Sequence, residues 1–196
     1  MKYTARHALL FVILVCGAAP CLTQANRPGD EPAGEFNPVS WKEYSSAEGR
    51  FSILFPGTPK EETKSLDVQG AKFKLHIHKL KTFSEYGVIY ADYPIPLDDP
   101  DVAKRVLDNG ARGAASSVNA ELLSVTEISI GGHPGRLLTE RLPDGSALKA
   151  KMYLVGQRLY QIAVTMPKAE SGPDGGKALE KFADKFLDSF KLVNRK

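Results

Sequence analysis

Cysteine is confined to Cys16 and Cys21, both inside an N-terminal stretch that reads as an export signal. The expected mature chain therefore has none, which excludes disulfides, thiolate metal sites and thiol nucleophiles together. A surplus of one charge is missing too. Of 26 basic residues, setting aside Lys2 and Arg6 leaves 24, against 23 acidic ones. Nucleic-acid binders carry a concentrated basic excess, so nucleic acid is not an expected partner. Beyond the N-terminus there is no second long apolar run, and no membrane span is expected in the mature chain. No G-x-G-x-x-G or P-loop spacing offers a phosphate cradle, and no G-x-S-x-G elbow presents a serine. No cofactor is expected.

The N-terminus is the first positive feature. Lys2 and Arg6 precede an apolar run over residues 8–19, and Thr23-Gln24-Ala25 supplies small residues for a signal peptidase. The run is shorter than the roughly 20 residues that span a bilayer. Residues 1–25 are read as a signal peptide, which places the protein in the periplasm or outside the cell. Residues 26–39 hold Pro28, Gly29, Pro32, Gly34 and Pro38 and read as a flexible linker. One domain is expected to fill residues 40–196, large enough to stand on its core without cross-links.

Within it the most strand-like stretch is 158–166, RLYQIAVTM. Tyr160, Ile162, Val164 and Met166 fall on one face and Leu159, Gln161, Ala163 and Thr165 on the other. Neither face is charged, so a central strand covered on both sides is expected. Shorter strands are read at 40–44, 51–55, 61–68, 71–80, 86–93, 122–130, 136–141 and 147–155. The first long pair forms a hairpin about Gln69-Gly70, and Pro143-Asp144-Gly145 turns a later one. His133 to Gly135 are read as part of a tight turn. Asp98, Asp99, Pro100 and Asp101 open a helix rich in small residues (Gly110, Ala111, Gly113, Ala114, Ala115), suited to close packing on a sheet. Leu179, Phe182, Ala183, Phe186, Leu187 and Phe190 mark a strongly amphipathic last helix. The expected class is α+β: an antiparallel sheet of about six to eight strands sandwiched by helices.

Four segments read together carry a resemblance: Gly49 to Pro56 (GRFSILFP), Gly131 to Arg136 (GGHPGR), Tyr153 to Tyr160 (YLVGQRLY) and Lys185 to Phe190 (KFLDSF). Over about residues 41–192 the chain resembles exported bacterial domains of the PsbP-like superfamily, which shares its fold with the Ran-binding Mog protein. The resemblance implies an antiparallel sheet between helices. Its motifs are turn glycines and packing aromatics, and proteins with this fold do unrelated jobs, so it transfers no active site.

Candidate chemistry concentrates on one strand. His76 and His78, two apart, face one way and form a candidate metal pair, with His133, Asp67 or Glu85 as a possible third ligand. Lys72 and Lys74 continue the same stripe, which would suit an unknown protein or an anionic envelope component. Tyr90 and Tyr93, beside a proline-rich loop, are read as aromatic anchors on the same partner surface. Arg136, Glu140 and Arg141, with Lys149 or Lys151 across the hairpin, read as an exposed ion-pair ladder. With no assembled nucleophile or acid–base motif, the favoured expectation is a non-enzymatic binding or accessory domain. The alternatives are a metal-binding protein using His76 and His78, and a small hydrolase without a recognisable motif.

Overall fold

The computed structural model describes residues 40–68, 71–94, 97, 99–168 and 172–193. The expected signal peptide and linker lie outside the described residues. Strand β9 (Arg158–Met166) occupies the middle of a seven-stranded antiparallel sheet ordered β3-β4-β5-β9-β8-β7-β6. The others are β3 (Lys60–Val68), β4 (Ala71–Lys81), β5 (Glu85–Asp92), β6 (Glu121–Ile130), β7 (His133–Arg141) and β8 (Ala147–Val155). Its uncharged faces are the cause. Leu159 packs into one apolar cluster, while Tyr160, Ile162 and Val164 pack into the other. The expected central position is observed.

Helix α1 (Pro100–Ser117) covers the β6–β8 half of one face. Asp99 caps it by accepting from the backbone N–H groups of Asp101 and Val102, at 2.8 and 3.2 Å. Its small residues serve the close approach foreseen for them: a methyl group on Gly110 would come within 2.8 Å of Met152 Cε. Helix α2 (Gly172–Asp188) lies on the opposite face with Leu179, Ala183, Phe186 and Leu187 buried. Phe182, expected in the same stripe, is 36% exposed and meets Trp41 with ring centroids 6.2 Å apart.

A second sheet of three strands, β1 (Lys42–Ser46), β2 (Phe51–Phe55) and β10 (Lys191–Leu192) in the order β1-β2-β10, shares that face with α2. Phe51, Ile53 and Phe55 insert between it and the main sheet, and Phe51 stacks on Phe190 at 5.6 Å. Polar anchors fix the β1–β2 turn. Tyr160 Oη donates to the Gly49 carbonyl at 2.7 Å, and Arg158 donates to the Glu48 carbonyl at 2.7 Å. Arg158 also grips Asp92 through two bonds of 2.6 and 2.7 Å. That forked pairing holds the Asp92 carboxyl below the usual carboxylate range.

Two local expectations are corrected. His133, Pro134 and Gly135 belong to β7, and the turn is Gly131-Gly132, both at positive φ (55° and 83°). The exposed ladder on β7 does not exist either. Arg136 and Glu140 are buried, and Arg136 reaches Asp108 of α1 at 2.8 Å. Lys149 and Lys151 point to the other face and meet Asp184 and Asp188 of α2 at 2.5 and 2.6 Å. The reason is coverage by α1, which converts the Arg136 face of β7 into interior.

Candidate functional site

A half-open pocket of about 310 Å³ lies where the small sheet meets the β3–β4–β5 end of the large one. Antiparallel register builds its floor. Thr63, His76 and Tyr90 form one row across β3, β4 and β5, and Glu61, His78 and Val88 form the next. Period-two alternation turns all six side chains toward the small sheet, while Phe73, Leu75 and Ile77 face the α1 side. Tyr44 of β1 and the β1–β2 turn, including Glu48, close the top.

Tyr44 is the hub. Its hydroxyl donates to Glu61 Oε1 at 2.5 Å and lies 2.9 Å from His78 Nδ1. A hydroxyl has one hydrogen, so with that hydrogen on Glu61 the imidazole carries its proton on Nδ1 and donates to the Tyr44 oxygen. Nε2 is then a bare acceptor. It is buried and has no hydrogen-bond partner, in a side chain only 4% exposed. Burial pushes the His78 pKa below the ordinary histidine value despite the opposing pull of Glu61, so the ring is neutral at pH 7. Burial, reinforced by Glu61, pushes the Tyr44 hydroxyl well above the ordinary tyrosine range. His76 lies flat on the Tyr90 ring, centroids 4.6 Å apart, with Nε2 3.7 Å from Glu48 Oε1. Arg158 sits 4.6 Å from the same ring, and burial raises Tyr90 to about 12.

The sequence-predicted residues separate along β4. Lys72 and Lys74 are exposed, His76 is half-buried, and His78 is interior. The stripe therefore runs from solvent into the junction between the sheets. The expected aromatic rim is corrected: Tyr90 and Tyr93 are 1% and 5% exposed and belong to opposite clusters. Tyr93 follows the end of β5 and packs edge-on against Phe73 at 5.8 Å. Among the third ligands considered for the histidine pair, Asp67 and Glu85 are paired in register with Lys72 and Lys81, and His133 lies on β7, beyond β5, β9 and β8. Among the described residues, no three His, Cys, Asp or Glu side chains are grouped so as to hold a metal ion. The carboxylates brought to the histidines are Glu48 and Glu61. Glu61 was within reach of sequence reasoning, because a hairpin turning at Gln69-Gly70 sets it opposite His78. Tyr44 and Glu48 arrive from a separate sheet and had no local signal.

The sheet between two helices, with its small accessory sheet, is a PsbP-like fold. Cyanobacterial PsbP (CyanoP) from Synechocystis sp. PCC 6803 superposes with a TM-score of 0.50 at 17% identity, over 83% of this chain and 98% of that one. A Pseudomonas aeruginosa protein of unknown function gives a TM-score of 0.34 at 17% identity, over 80% of this chain and 98% of that one. No family model and no curated protein matches the chain. No helix among the described residues is long and apolar enough to cross a membrane.

Proposed function

We propose that this protein is an exported binding or accessory module whose recognition site is the pocket between the small sheet and β3–β4–β5. One observation carries the reading. Side chains from β1, the β1–β2 turn, β3, β4 and β5 converge on one concavity and leave the buried His78 Nε2 acceptor without a partner. Buried polar atoms are normally satisfied, and an orphan beside a pocket of small-ligand size points to recognition there.

The non-enzymatic reading is supported by the state of the hydroxyl nearest a base. Tyr44 lies 2.9 Å from His78 Nδ1, but its hydrogen goes to Glu61 and its pKa is driven up rather than down. Activation for nucleophilic attack needs the opposite shift. Asp92 and Arg158, beside the pocket, are committed to each other and to the turn.

The test is retention of a component from the protein's own envelope fraction by immobilised mature protein. Wild type should retain one that the Tyr44→Phe, Glu61→Gln double variant, verified as folded by circular dichroism, does not. Equal retention by both would remove the pocket from recognition.

A further inference from the structure

Resting on that reading, we propose that the pocket takes an organic cation bearing N–H donors, an ammonium or guanidinium group, held by the carboxylates of Glu48 and Glu61. A count of free hydrogen-bonding capacity around the wall leads there. The one Tyr44 hydrogen is spent on Glu61 and the His78 Nδ1 hydrogen on Tyr44, so neither offers a donor to a ligand. Glu61 keeps lone pairs beyond the one Tyr44 uses. The Glu48 carboxylate is 72% exposed and approaches His76 Nε2 at 3.7 Å. His78 Nε2 adds a neutral acceptor just beneath the wall. Hydroxyls of Ser45, Ser46, Thr63 and Tyr90 and the His76 ring also line the wall, but its fixed charges are all carboxylates, which make it negative.

Positive charge that would cancel this field is directed elsewhere. Lys64 and Lys79 hold Glu62, at 3.2 and 3.0 Å. Arg158 is engaged by Asp92 and by the backbone carbonyl of Glu48. An anion entering here would meet two carboxylates, with no lysine or arginine among the lining residues. A bare metal ion is disfavoured because, among the described residues, no three His, Cys, Asp or Glu side chains are grouped so as to hold one. An N–H donor group on a small molecule pairs with the carboxylates directly, while the buried His78 nitrogen adds negative potential beneath them. The volume of about 310 Å³ is at the small end of ligand sites.

The experiment is calorimetric titration of the intact mature protein with N-acetyl-argininamide, N-acetyl-lysinamide, the uncharged isostere N-acetyl-citrullinamide, and zinc chloride alone. At least one of the two cations should bind saturably at a single site, with the citrulline compound much weaker. Glu61→Gln and Glu48→Gln should each weaken the cation about tenfold, the size expected for losing one charged hydrogen bond. His78→Phe should weaken it as well; if that variant fails to fold, Glu48→Gln on the exposed turn still decides the matter. Equal binding of the citrulline compound would overturn the cation assignment while leaving the pocket as a binding site. Wild-type affinity in both glutamate variants would overturn the pocket itself. Absence of saturable binding by either cation, or binding of zinc alone through His78, would overturn the proposal.

Discussion

Glu140 is the residue with the clearest cost. It is fully buried on β7, and neither carboxylate oxygen has a hydrogen-bond partner. Desolvation raises its pKa from 4.5 to about 7. The folded state therefore binds this proton more tightly than the unfolded chain does. Stability from Glu140 is full below pH 4.5 and falls as pH rises through about 7, by on the order of 3 kcal/mol. Glu140→Gln should match wild type near pH 4.5 and melt higher at pH 8; identical melting curves at pH 8 would show the carboxyl to be satisfied. His78 acts with the opposite sign. Its depressed pKa means the native state resists protonation, so its contribution is lost as pH falls through the ordinary histidine range and below. At this scale the sequence was legible in parity but not in cover. The alternation of β4 correctly put His76 and His78 on one face, and the hairpin turn set Glu61 opposite His78. Burial of Glu140, His78 and Tyr90 depends on which elements lie above them, and no local pattern encodes that.

Among the elements, β9 and α2 were legible because their patterns are strong: two uncharged faces in the strand, and apolar residues every three or four positions in the helix. The β7–β8 pairing was misjudged at the surface, since charged residues at Arg136 and Glu140 look solvent-facing until α1 is laid across them. This pairing also contains a tight packing requirement. A methyl group on Gly135 would lie 2.4 Å from the Met152 carbonyl and 2.6 Å from the Tyr153 ring. The backbone cannot yield there without breaking register, whereas a methyl on Gly87 of β5 meets nothing nearer than 3.9 Å. Gly135→Ala should therefore destabilise by at least about 2 kcal/mol, in the range of overpacked interiors, and Gly87→Ala should be close to neutral. Comparable denaturant midpoints for the two variants would contradict the packing described.

At the scale of the molecule, two apolar clusters on either side of one sheet hold together a described region that contains no cysteine. The small sheet is the third component, tied down by Arg158 and Tyr160 through the carbonyls of Glu48 and Gly49. The anchors that stabilise the fold thus also position the pocket turn. Arg158→Met should leave the secondary structure intact by circular dichroism while lowering ligand affinity through a misplaced Glu48; unchanged affinity would separate the turn from recognition. The basic stripe from Lys72 to His78 pointed from sequence toward an anionic partner, but the stripe ends beneath carboxylates from β3 and the β1–β2 turn. The charge a ligand meets is decided by that junction, which is why the site was half visible in the sequence and its polarity was not.

The most direct measurement of the central claim is nitrogen-15 chemical-shift mapping of the protein as N-acetyl-argininamide is added. The account predicts saturable shifts clustered at Glu48, Glu61, Thr63, His76 and His78, with the His78 ring nitrogens shifting in step. Shifts centred on Lys72 and Lys74, or spread over the β6 edge with the pocket silent, would contradict it.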